Sequence, residues 1–142
     1  MKLKVLLAEL DRLNIPKDKM AITSSGPMGI RNIREIGDLD IIVLPEVWGK
    51  LSKQYEVKNV GDFESIVIGN IQILGKGSWF TDPKYGDVES DIKNADIIDG
   101  YRWVKLEKIL KIKKMKNRPK DKKDVELIEN YLPRHDSSDP KV

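Results

Sequence analysis

Asp38-Leu39-Asp40 runs directly into Ile41-Ile42-Val43-Leu44, and no other junction constrains the fold of this chain as tightly. A short apolar run rich in β-branched residues reads as a buried strand. In a strand, residues i and i+2 share a face, so the two carboxylates sit side by side where the strand begins. Like charges that close raise each other's proton affinity unless a cation lies between them. Oxygen ligands of this kind suit Mg²⁺, which takes one or two carboxylates together with substrate phosphates. The pair therefore points to metal-dependent phosphate chemistry. It also fits a plainer reading, an acidic turn entering a buried strand with Asp38 as the strand-start residue.

The length of 142 residues predicts one domain with a proper core, spanning 1–132, followed by a polar tail at 133–142 expected to be disordered. No apolar run approaches the roughly 20 residues that a membrane span needs. The apolar stretch at the N-terminus is interrupted by Glu9, Asp11 and Arg12 and lacks a small-residue cleavage site, so a cytoplasmic location is expected. There is no cysteine and a single histidine, His135. Thiolate chemistry and disulfides are thereby excluded, and histidine-based catalysis finds no support. Carboxylates, lysines, arginines and backbone amides are what remain for chemistry. Between Lys105 and Lys123 ten Lys/Arg face two acids, a formal +8. Such a block fits phosphate or nucleic-acid binding, or equally a solvated lysine-rich helix face.

Leu3, Leu6, Leu7, Leu10 and Leu13 recur at helical spacing, and Asn14-Ile15-Pro16 ends that helix. Ala21-Ile22-Thr23 reads as a strand broken by Ser24-Ser25-Gly26-Pro27. Pro27 suits the first turn of a new helix, which is expected to last until Gly37. A strand, a Ser-Gly turn and a helix start can hold an anion through free amides and the helix dipole. Asp38 to Leu44 is the second strand, and Pro45 to about Lys53 a helix. A short strand is expected at Tyr55-Glu56-Val57. Ser65–Ile68 and Asn70–Leu74 read as two strands around Gly69. Residues 75–86 form a loop, 87–94 a helix, and 95–100 an extended segment and turn. A basic helix at Leu106–Met115 and a last helix at Asp121–Leu132 are separated by Asn117-Arg118-Pro119-Lys120. Trp48, Trp79 and Trp103 are expected to pack rather than to stack on bases.

The stretch ITSSGPMGIRNIREIGDLDIIV resembles the core motif of the nucleotidyltransferase superfamily, the polymerase-β-like fold, in its small stand-alone bacterial and archaeal form. The C-terminal stretch LEKILKIKKMKNRPKDKKDVELIENYL resembles the lysine-bearing helix and Arg-x-Lys-Asp turn of small members, at Lys113, Arg118, Lys120, Asp121 and Asp124. The resemblance implies an α/β (α+β) domain: a small mixed β-sheet flanked by helices. It implies a nucleoside triphosphate bound with Mg²⁺ (or Mn²⁺) and a nucleotidyl group passed to an unidentified acceptor. Asp38 and Asp40 would hold the metal and act in catalysis. Ser24, Ser25 and Gly26 would cradle phosphates, with Arg34 and Lys113 as further nucleotide-binding residues. Arg34 equally suits a pair with Asp38 or Glu35, and Arg118 and Asp121 suit a structural ion pair.

One departure matters. The family's third carboxylate falls on a later strand, and IGNIQIL offers Gln72 there. Glu64, Asp62 or Asp96 would have to replace it, or the chain is a non-catalytic nucleotide-binding or regulatory module of the same fold. The turn departs too, with Pro27 where an amide might reach a phosphate, leaving Ser24, Ser25 and the amides of Met28 and Gly29 for that contact. Nucleic-acid binding through the lysine block, and a homodimer completing the open side of a minimal fold, are further expectations. No membrane partner is expected.

Overall fold

The computed structural model describes residues 2–135. Its centre is a seven-stranded mixed sheet. The strands are β1 (Met20–Thr23), β2 (Leu39–Val43), β3 (Lys58–Val60), β4 (Phe63–Ile68), β5 (Ile71–Leu74), β6 (Asp96–Ile98) and β7 (Tyr101–Trp103), in the order β3-β4-β5-β2-β1-β7-β6. β2 is antiparallel to β1 and parallel to β5, and β1 is parallel to β7. The helices are α1 (Leu3–Asp11), α2 (Gly26–Ile30), α3 (Pro45–Gln54), α4 (Val88–Lys93), α5 (Leu106–Lys116) and α6 (Pro119–His135). Residues 133–135, expected to belong to the tail, continue α6, while 136–142 lie outside the described residues. Among the described residues no helix is long and apolar enough to cross a membrane.

Alternation along the strands divides the core in two. Ile22, Leu39, Ile41, Ile71, Ile73 and Trp103 pack with Leu6 and Leu10 of α1 and with Val47 and Leu51 of α3. Ala21, Ile42, Leu74 and Val104 point the other way, against Ile92 of α4, Ile109 and Ile112 of α5 and Ile128 of α6. Asp40 falls two residues before Ile42, so it faces α5 and α6. Burial on both faces explains why β2 reads as an uninterrupted apolar run.

Three local expectations differ from the structure. The helix expected to continue to Gly37 stops at Ile30, because Asn32 adopts a left-handed backbone (φ 58°). Its amide donates to the Gly29 carbonyl and that of Ile33 to Met28, the bonding of a Schellman stop. Arg34 therefore sits on an irregular loop, not on a helix. Asp38 lies just outside β2, at an exposed bend. The strand expected at 55–57 begins at Lys58, since the Tyr55 amide still donates to Leu51 of α3. A further hairpin joins β6 to β7 through Asp99-Gly100, both left-handed (φ 53° and 81°), the turn that an Asp-Gly pair favours.

Candidate active site

Asp40 is the second residue of β2, with Thr23 of β1 as its antiparallel partner and Gln72 of β5 as its parallel one. Its Oδ1 is buried without a hydrogen-bond partner, and so is the Thr23 hydroxyl. Burial, followed by the nearby charge of Asp38, pushes the Asp40 carboxyl up to about 6. The Ser24 hydroxyl, Lys116 and Lys113 pull it the other way. Ser24 itself is held at φ 59°, a backbone region costly for a residue with a Cβ. A strained residue thus carries a hydroxyl that favours the anion of a carboxylate which burial disfavours.

The Ser-Gly turn is shaped by packing. A Cβ on Gly26 would lie 2.3 Å from Cγ2 of Ile22, so only glycine lets α2 approach β1 this closely. The amides of Met28 and Gly29, expected to reach phosphate, both donate to the Ser25 carbonyl. The Ser25 hydroxyl accepts from Arg34 at 2.7 Å.

Arg34 does not pair with the carboxylate of Asp38 or Glu35. Its Nε and Nη2 donate to the two oxygens of Asp124 at 2.8 and 2.9 Å, and its Nη1 to the Glu35 carbonyl. Lys113, itself buried, reaches the same Asp124 at 2.8 Å and Asp121 at 3.8 Å. Arg118 closes on Asp121 with Nε, Nη2 and its own amide. This chain of ion pairs ties the loop before β2 to α5 and α6. Burial pushes the Asp124 carboxyl up, but Arg34 and Lys113 outweigh it and hold the group below its ordinary range. Asp121 is held low in the same way, by Arg118 against burial.

Lys116, which sequence reasoning did not single out, is the α5 cation that acts on Asp40 without a partner in that chain of ion pairs. Its ammonium lies 5.7 Å from the centre of the Phe80 ring. Burial, then the charge of Arg118, lowers its proton affinity. Helical spacing could have found it, since Ile109, Ile112, Lys113 and Lys116 share one stripe. Arg31, at the C-terminal end of α2, donates to the Pro27 carbonyl and to Asp96, both at 2.9 Å. Trp103 is fully buried, and Trp79 stacks on Tyr85.

The register places Gln72 directly beside Asp40, where a third carboxylate would stand. The three replacements named above lie elsewhere. Asp96 is held by Arg31 and Lys105 on the far edge. Glu64 pairs with Asn59 and alternates to the opposite face, and Asp62 lies in the β3–β4 turn. Among the described residues no three carboxylate or histidine side chains converge on a point. Asp38 and Asp40 are the two carboxylates that this end of β2 offers an oxygen-liking cation. Within the lysine block, Lys105, Lys108, Lys113, Lys114 and Arg118 are engaged by carboxylates of the chain.

No family model matches the sequence, and no curated protein does. The chain is similar to a protein of Thermotoga maritima whose crystal structure is described as that of a candidate nucleotidyltransferase. The two are 18% identical, with 94% of this chain and 93% of that one covered and a TM-score of 0.51. At that identity the likeness shows the fold alone: a mixed β-sheet flanked by helices.

Proposed function

We propose that the chain is a polymerase-β-like nucleotidyltransferase that binds a nucleoside triphosphate with Mg²⁺ and passes its nucleotidyl group to an acceptor, releasing pyrophosphate. The observation that carries this reading is the buried, unpartnered Oδ1 of Asp40 beside the charge of Asp38. An ionised carboxylate in that position is unfavourable until a cation meets it, and Mg²⁺ meets carboxylate and phosphate oxygens together. Bound there, the ion would supply Lewis-acid charge for the phosphate under attack.

The remaining roles belong to the chain. Ser24 acts on Asp40, and the close packing of Gly26 on Ile22 fixes the turn that carries the Ser24 and Ser25 hydroxyls, the groups left to meet phosphate oxygens. Arg34 and Lys113, fixed by Asp124, set positive charge behind the turn, with Ser25 held by Arg34. Because the guanidinium already grips Asp124 through two parallel bonds, its contribution is a pre-set field rather than a searching side chain.

Thermal unfolding tests this reading. ATP, GTP, CTP and UTP are each added with and without Mg²⁺ to the wild type and to Asp38→Asn and Asp40→Asn. A triphosphate present at a hundred times its dissociation constant stabilises by about 2.7 kcal/mol. The reading expects that gain for at least one triphosphate, only with Mg²⁺, and its loss in both variants. A wild type indifferent to all four abolishes it.

A further inference from the structure

We infer that the acceptor is a phosphate monoester whose attacking oxygen is already ionised, rather than an alcohol. The inference rests on the proposed function above and concerns the same site. An alcohol must lose a proton as it attacks phosphorus, and a positioned base normally takes it. The side chain next to Asp40 in the sheet is Gln72, whose amide accepts no proton. Asp38 and Asp40 are committed to the cation, and no third carboxylate or histidine joins them among the described residues. A phosphate monoester, with its second pKa near about 6, needs no base at neutral pH.

A second observation concerns charge. Lys116 ends α5, Arg118 lies in the turn that follows and Lys120 stands in the first turn of α6, the latter two close enough to disfavour the Lys116 ammonium. The carboxylates beneath them, Asp121 and Asp124, are taken up by Arg118, Lys113 and Arg34. Lys116 also acts electrostatically on Asp40, while Arg118 is paired with Asp121, so positive charge reaches the site from the end of α5. It is suited to an anion additional to the triphosphate.

The reaction balances without a proton. An oxygen of the acceptor phosphate attacks the α-phosphorus of the triphosphate and forms a new P–O bond. The bond from the α-phosphorus to the bridging α,β oxygen breaks, and its electron pair leaves with pyrophosphate. The product is a nucleotide joined to the acceptor through a diphosphate.

The test has two stages. Calorimetry with non-hydrolysable analogues of ATP, GTP, CTP and UTP in Mg²⁺ first establishes which nucleotide binds, and no binding of any of the four removes the parent reading. With binding in hand, the matching α-phosphate-labelled triphosphate is offered at neutral pH with glucose 1-phosphate, glycerol 3-phosphate and a 5′-phosphorylated oligonucleotide. Each is set beside its dephosphorylated counterpart. Label transfer is expected to the phosphorylated set, with Lys120→Ala raising the KM for that acceptor about tenfold, the size of one lost charged contact, and leaving analogue affinity within about twofold. Gln72→Glu is expected to add label transfer to the alcohols. Labelling confined to the alcohols in the wild type, or no labelling of either set despite nucleotide binding, overturns the inference.

Discussion

Arg34 grips Asp124 across 90 residues of sequence, Nε and Nη2 each donating to one carboxylate oxygen at 2.8 and 2.9 Å. The bond fastens the loop that precedes Asp38 to the second turn of α6, and Lys113 shares the same carboxylate. Fork-to-carboxylate geometry of this kind is strong because two hydrogen bonds form without searching rotamers.

Removing the shared carboxylate leaves buried Lys113 with only its longer, 3.8 Å contact to Asp121 and strips Arg34 of its partner. Asp124→Ala is therefore expected to cost about 3–5 kcal/mol, the usual penalty for breaking a buried pair from one side. Denaturant unfolding of Asp124→Ala beside Glu46→Gln checks this. The Lys19–Glu46 pair is largely exposed, and its loss is expected to cost less than about 1 kcal/mol. Equal losses in the two variants contradict the account of the ion-pair chain.

The Asp40 carboxyl titrates near 6 in the folded chain, against an ordinary value of 3.8. Between those values the folded protein holds a proton that the unfolded one has released. This group's contribution to stability therefore falls as pH rises through that window and stays low above it. Asp40→Asn removes the penalty. In metal-free solution at neutral pH it is expected to raise stability by about 1–3 kcal/mol, with the gain vanishing below about pH 4. A thermal-unfolding series across pH measures this, and a destabilised neutral-pH variant refutes the assignment of burial as the cause.

Gly26 is fixed by Ile22 rather than by backbone conformation. The added methyl of Gly26→Ala meets Cγ2 of Ile22 inside a packed core, where overfilling costs about 1–3 kcal/mol. Ile22→Ala in the same chain opens that space, so the double variant is expected to lose less than the sum of the single ones. Strict additivity in a double-mutant cycle rules out the steric explanation.

Much of the fold was readable because its elements announce themselves locally. Leucines at helical spacing gave α1, Pro45 opened α3, Gly69 turned β4 into β5, and β2 showed its double burial as an unbroken apolar run. The mixed sheet flanked by helices, expected from the resemblance, is what the structure has. The errors have physical causes. Asn32 stops α2 through a left-handed residue, a signal weaker in sequence than glycine. β7 leaves little trace in the sequence because three residues carry too little periodicity, although Asp99-Gly100 marks the hairpin.

At the site, sequence placed Asp40, Gln72 and the Ser-Gly turn in one region, and the register joins them. Partner choice was harder to read. That Arg34 selects Asp124 over Glu35 or Asp38 depends on how α6 folds back over the sheet. That Lys116 acts on Asp40 while Lys113 is consumed by Asp121 and Asp124 depends on the rotation of α5. Neither follows from spacing alone.

The central claim is that Asp38 and Asp40 create a metal-dependent triphosphate site, and isothermal calorimetry measures it most directly. ATP or another triphosphate titrated into the wild type at neutral pH is expected to bind one site per chain in Mg²⁺ and to give no heat of binding in excess chelator. Asp38→Asn and Asp40→Asn are expected to weaken the Mg²⁺-dependent affinity at least about a hundredfold, about 2.7 kcal/mol. Binding of equal strength with and without Mg²⁺, or unchanged in both variants, contradicts the account.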